Sequence, residues 1–230
     1  MKIVALVPMR HHSQRVPQKN FRVIAGKPLF HFIIQTLQHV PEIGEIVVDT
    51  DSGPIRDGLE AEFPTVHVID RPLQLRADAA PMNEILLHDT AQVDAEFYLQ
   101  THSTNPLLRP ETVSRAIQTF LARFPANDSL FGVTRLQTRL YDASGRPLNH
   151  DPRELVQTQE LQPVYEENSC VYLFTRDNLA RYHHRIGVSP HLFEIEAEEA
   201  WDIDDELDLA ICEFLLQRRP SRGSDEPGSV

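Results

Sequence analysis

The chain is poor in the residues that staple small secreted folds. Its two cysteines, Cys170 and Cys212, lie far apart in 230 residues. They give no disulfide framework and no zinc or redox spacing, and they suit a reducing cytoplasm. No run of about 18 apolar residues occurs, so no membrane-spanning helix is expected. The opening apolar run is ended by Pro8, too early for a signal peptide. Lysine is scarce: Lys2, Lys19 and Lys27 are the only three, all near the start. The 22 basic residues are outnumbered by 34 acids, a net charge of −12 that argues against a nonspecific nucleic-acid coat. What is present is a 41% hydrophobic composition, enough for the core of one ordinary α/β domain and too much for a disordered chain.

The charge is segregated. Residues 1–41 carry six basic side chains and no acid, whereas residues 194–208 carry nine acids and no base. Two readings fit: two solvated faces that attract each other, or an anion-binding loop and a cation-binding carboxylate cluster that share a metal-bound polyphosphate.

Lys2–Pro8 (KIVALVP) has the continuous apolar character of a strand buried on both faces of a parallel sheet. Leu29, Phe32, Ile33, Thr36, Leu37 and Val40 form a helical stripe behind Gly26-Lys27-Pro28. Further strands are expected at 45–49, 66–69, 97–100, 129–134 and 169–175. Helices are expected at 54–63, 81–93, 110–124, 176–181 and 207–216. Residues 135–168 are polar and irregular and read as an excursion from the core, and 220–230 as a disordered tail. Alternation of strand and helix predicts right-handed βαβ units in a three-layer α/β fold with a mostly parallel sheet. Ligands in such sheets bind at the carboxyl ends of the strands, here the loops 9–20, 49–53, 70–80 and 100–109.

The first of these loops, Arg10 to Asn20, holds Arg10, Arg15 and Lys19 and no glycine. It is neither a P-loop nor a dinucleotide fingerprint, but its place after the first strand suits phosphate binding. Near the other end, Asp202-Ile203-Asp204 alternates, so on a strand both carboxylates face one spot. Such a pair repels, by about 4 kcal/mol at 4 Å and an effective dielectric of 20, unless water, a proton or a cation intervenes. Hard oxygens on one spot suit Mg²⁺; the alternative is capping of the next helix, the role expected for Asp205, Glu206 and Asp208. For Asp49 and Asp51, a second alternating pair, strand-end turn chemistry is the expected role.

These residues resemble the acylneuraminate cytidylyltransferase family, which makes CMP-sialic acid and CMP-keto-deoxyoctulosonate. Arg10, Ser13, Pro17, Lys19 and Asn20 match, in order and spacing, a loop of the form Arg-x-x-Ser-Lys-x-x-Pro-x-Lys-Asn. Val48–Gly53 resembles the family's Ser-Thr-Asp segment, Arg71-Pro72 with Asp78 its Arg-Pro…Asp loop, Leu99–Arg109 its Leu-Gln-Pro-Thr-Ser-Pro-Leu-Arg, and Trp201–Leu209 its Ile-Asp-Ile-Asp…Asp-Leu. The family's loop lysine is Gln14 here, followed by Arg15, and the Gln100 loop is longer and more polar.

The resemblance implies a Rossmann-like nucleotidyltransferase fold over residues 1–219. It implies CTP as donor and an anionic acceptor, most of all a 2-keto-3-deoxy sugar acid such as a sialic acid. Arg10, Ser13, Lys19, Asn20, Arg71 and Asp78 would bind the nucleotide. Arg10, Arg15, Lys19 and Asp204 would be catalytic. Gln100, His102 and Arg109 would bind the acceptor, and Asp202 and Asp204 would hold Mg²⁺. The excursion at 135–168 would be a homodimerisation arm or a lid. A phosphonate or other non-sugar acceptor, and a nucleotide-binding module without catalysis, stay open.

Overall fold

A computed structural model describes residues 1–13, 16–77 and 79–219. In chain order its elements are β1 (Ile3–Leu6), a small antiparallel pair β2 (Val23–Ile24) and β3 (Lys27–Pro28), α1 (Leu29–Gln38), β4 (Ile43–Thr50), α2 (Gly53–Glu62), β5 (His67–Asp70), α3 (Met82–Gln92), β6 (Phe97–Gln100), α4 (Pro110–Arg123), β7 (Ser129–Leu136), β8 (Val164–Phe174), α5 (Arg176–Tyr182), β9 (Pro190–Glu194) and α6 (Glu206–Arg218). The seven-stranded sheet has the order β5-β4-β1-β6-β8-β7-β9. All its pairings are parallel except those of β8, which runs against both β6 and β7. The mostly parallel three-layer architecture expected from the alternation is the one found.

Both faces of β1 are covered. Ile3 and Ala5 pack into one apolar cluster with α1, α2 and α4, whereas Val4 and Leu6 pack into another with Leu86 of α3 and Leu179 of α5. That two-sided burial is why the segment is apolar throughout instead of alternating. The strand stops at Leu6, but parallel pairing continues beyond it: Val7 N donates to the Val47 carbonyl and Met9 N to the Asp49 carbonyl, while Pro8 between them has no N–H to give. A third cluster joins Val16, Leu29, Leu107, Ile203 and α6 residues Leu209 and Cys212.

Three expectations need correction. β8 begins at Val164, so the excursion proper is 137–163. The ladder of β7 and β8 runs on past a register shift at Gly132, where a Cβ would meet Asn168 Oδ1 at 2.6 Å. β9 had no counterpart among the expected strands; it is a five-residue edge strand with no fully buried residue. Asp202–Asp204 is not a strand; it is held by Ile203 N donating to the Thr104 carbonyl. The tail from residue 220 lies outside the described residues.

Candidate active site

The carboxyl ends of β1, β5 and β6 open onto a cleft of about 410 Å³, within the range of small-molecule sites. The cleft brings together Arg10, Ser13, Lys19 and Asn20 from the first loop, Arg71 after β5, His102 to Thr104 after β6, and Asp202 and Asp204 before α6. The two charge blocks of the sequence therefore meet. Lys19 Nζ donates to the Ile203 carbonyl and lies 3.8 Å from Asp204 Oδ1.

The loops around the cleft are tied to one another. Asn20 Nδ2 donates to the Arg10 carbonyl and its Oδ1 accepts from Ser103 Oγ at 2.6 Å, so Asn20 joins two lining loops. His11 N donates to Asp51 Oδ1, and His11 Nδ1 sits 2.8 Å from the hydroxyl of Ser52, which caps α2. Neither Asp49 nor Asp51 shows the expected local turn chemistry: Asp51, just past β4, ties to the first loop, and Asp49 is buried and holds the Arg71 guanidinium through Nε.

Of the acidic segment, Asp205 caps α6 in a capping box with Asp208, and Asp208 also accepts from Trp201 Nε1. Glu199 is buried and accepts from Arg109 N and Thr112 Oγ1. Asp202 and Asp204 are left to the cleft. Burial is the largest influence on Asp202 and pushes its carboxyl up; Thr104 lowers it in part, and Asp204 raises it further. Asp202 Oδ1 is buried with no hydrogen-bond partner among the described residues. An orphaned hard oxygen beside a second carboxylate is a donor set that fits a divalent cation such as Mg²⁺.

Two expected acceptor residues lie elsewhere. Gln100 is fully buried; its Nε2 donates to the Thr101 carbonyl and its Oε1 accepts from Arg185 Nη1 at 2.7 Å. Arg109 caps α4 and faces a different groove with Pro110, Leu216 and Arg219, because Glu198 and Glu199 draw its guanidinium there. His102 does line the cleft. Burial, then Arg185 and Lys19, push its imidazole down to about 3, so it is neutral at physiological pH, and its Nε2 has no partner among the described residues. Arg15 and Asp78 lie outside the described residues.

Arg185 is the residue that sequence reading missed. Its guanidinium stacks 3.5 Å from the centre of the Tyr172 ring and lies 3.8 Å from Glu167, whose carboxylate also accepts from the Tyr172 hydroxyl. It is a largely buried cation whose carboxylate contact among the described residues, to Glu167, is a long one. A cation within a run of polar residues after His183-His184 carries no periodic signal that could have marked it.

A sheet with a cationic loop after its first strand and an acid pair beside it defines a nucleotide-binding α/β protein of phosphoryl-transfer chemistry. Residues 4–217 match the sequence profile described as Cytidylyltransferase, and the chain belongs to that family. It is 30% identical over 231 residues to the CMP-N,N'-diacetyllegionaminic acid synthase of Legionella pneumophila, covering 94% of this chain and 97% of that one. It is 25% identical over 236 residues to N-acylneuraminate cytidylyltransferase A of Danio rerio, covering 99% of this chain and 54% of the other. Among solved structures, CMP:2-keto-3-deoxy-manno-octonic acid synthetase complexed with CTP superposes with a TM-score of 0.74 at 19% identity, over 96% of this chain and all of that one. The fold is that of the Rossmann-like nucleotidyltransferases.

Proposed function

We propose that this chain transfers CMP from CTP to a 2-keto-3-deoxy sugar acid of the sialic-acid kind and releases pyrophosphate. The observation that carries the reading is the meeting of Lys19 with Asp204 in a cleft that Arg10 and Arg71 also line. The relatives that act on such acids support the acceptor class.

A hydroxyl of the acceptor forms a new bond to the α-phosphorus, the bond to the β-phosphate bridge breaks, and the hydroxyl proton passes to water. Lys19 and Arg10 supply positive charge beside the phosphates, where the negative charge of the leaving pyrophosphate grows. Arg71 fixes the nucleoside end. The neutral His102 offers a ring nitrogen to the acceptor, and Arg185 behind it attracts the acceptor carboxylate. Asp202 and Asp204 would hold Mg²⁺, which when bound neutralises phosphate charge. Exposed Tyr141, Leu148 and Leu155 on the excursion would pack on a second copy, making a homodimer. Among the described residues no helix is long and apolar enough to cross a membrane, and with two free, buried cysteines a cytoplasmic location is proposed.

The test is pyrophosphate release with each nucleoside triphosphate and a panel of acceptors: a sialic acid, a legionaminic acid, keto-deoxyoctulosonate and an aminoalkylphosphonate. Release with CTP and a keto sugar acid is expected. Release only with the phosphonate would replace the acceptor class, and CTP binding with no turnover on any acceptor would overturn the enzyme.

A further inference from the structure

Behind Arg71 lie two buried carboxyl groups that the reaction above does not use. Asp49 on β4 and Asp89 on α3 are each 1% exposed. Asp49 Oδ1 accepts from Arg71 Nε, and Arg71 Nη2 reaches the Asp49 carbonyl at 3.4 Å. The other oxygen, Asp49 Oδ2, is buried with no hydrogen-bond donor among the described residues, and carboxylate oxygens of Asp49 and Asp89 lie within 4.8 Å of each other. Carboxylates offer acceptors only, so this contact lacks a hydrogen. His88, the remaining titratable group facing the pair, lies with Nδ1 3.2 Å from Asp89 Oδ1 but 3.9 Å from Asp49 Oδ2. It can serve Asp89 and is too far to serve Asp49. Arg71 can balance one buried negative charge, not two. One proton on Asp89 removes both problems at once: it supplies the missing donor and cancels the second charge.

We propose that Asp89 is a positioning residue of the nucleotide site: it holds a proton, donates it to Asp49 Oδ2, and so leaves Asp49 Oδ1 to fix the Arg71 guanidinium. Nη1 of Arg71, which has no partner among the described residues, is then directed at the nucleotide. The inference rests on the reading of the cleft as a nucleotide site. Burial first, then the Asp49 charge, push Asp89 up to about 9. Loss of the proton above that range sets two like charges against each other and pulls Arg71 between them.

The test measures CTP affinity by calorimetry across pH, together with KM and kcat, in the wild type, Asp89→Asn and Asp89→Ala. The asparagine keeps a donor toward Asp49 but cannot titrate. Wild-type affinity is expected to be level near neutrality and to fall above about pH 9. Asp89→Asn is expected to rescue the neutral affinity and abolish the alkaline fall. Asp89→Ala is expected to raise KM for CTP about tenfold with kcat little changed. Infrared spectra at pH 7.5 should show the band of a protonated carboxylic acid that Asp89→Asn lacks. An alkaline fall preserved in Asp89→Asn, unchanged affinity in Asp89→Ala, or no such band overturns the proposal. So does a divalent metal that copurifies with the wild type and is lost in Asp89→Asn, since a cation would then join the pair. A wild type that binds no CTP would overturn the nucleotide reading itself, whereas equal affinity in all three proteins would overturn only the role of Asp89.

Discussion

Lys19 and Asp204, one near each end of the chain, meet with Nζ 3.8 Å from Oδ1. Local structure does not bring them together. Ile203, between the two aspartates, is buried with Val16 and Leu107 in the cluster under α6. The apolar packing of one side chain thus sets where its charged neighbours stand, and the loop carrying Lys19 is anchored to the same cluster through Val16.

Lys19→Met is expected to lower kcat for pyrophosphate release by about 10²–10³-fold, the scale of one lost electrostatic donor. Arginine should rescue it only in part, because a fork does not replace a movable point charge. Steady-state kinetics with a melting curve checks this; a variant that merely melts earlier and turns over normally would remove Lys19 from the reaction.

Asp202→Asn should move activity and stability in opposite directions. The folded state carries a buried, incompletely satisfied carboxylate at this position. The amide is therefore expected to melt at a higher temperature in chelator while pyrophosphate release is lost. Chelator alone should silence the wild type, and added Mg²⁺ should restore it.

The two arginines near the Gln100 loop are expected to separate. Arg185→Lys keeps the charge but loses the fork to Gln100 and the Tyr172 stack, and should raise acceptor KM about 10–100-fold. Arg109→Met should leave acceptor KM unchanged, with a stability cost of at most about 1 kcal/mol because its guanidinium is half-exposed. Initial rates at varied acceptor concentration distinguish them.

Stability should depend on pH through Asp89. Its carboxyl is raised from an unfolded value of 3.8 to about 9. For an acid shifted in this direction, the stabilising contribution is complete below the unfolded value and drains away as pH rises toward the folded one. The unfolding free energy from urea titration is expected to fall from pH 5 to pH 8, by at most about 1.4 kcal/mol per pH unit, and to flatten in Asp89→Asn. A value that rises over that interval in the wild type alone would contradict the assignment.

Gly132→Ala should destabilise by about 1–3 kcal/mol, because the added Cβ meets Asn168 Oδ1 at 2.6 Å and Ile195 Cδ1 at 2.9 Å. Chemical denaturation measures it.

How much of this was legible in the sequence follows the range of the interactions. β1 and the loops at the strand ends were readable, because a continuous apolar run and alternating elements place them without tertiary detail. The acidic segment was readable in its halves, Asp205 and Asp208 for the helix and Asp202 and Asp204 for the cleft. Arg109 was misplaced because its neighbours in sequence belong to the cleft, whereas Glu198 and Glu199, far along the chain, draw it away. Asp49 read as turn chemistry because its partners Arg71 and Asp89 come from other elements. β9 was missed because so short an edge strand is defined by its pairing with β7.

The order in which the sheet is threaded has a bearing on biosynthesis. β1 and the cationic loop leave the ribosome well before the aspartates that complete the cleft, which immediately precede α6. A nascent chain therefore has the cleft-lining Arg10 and Lys19 long before Asp202 and Asp204. Only the finished polypeptide can assemble a competent pocket, and C-terminal truncation before Asp202 should yield a folded-looking sheet that is catalytically silent.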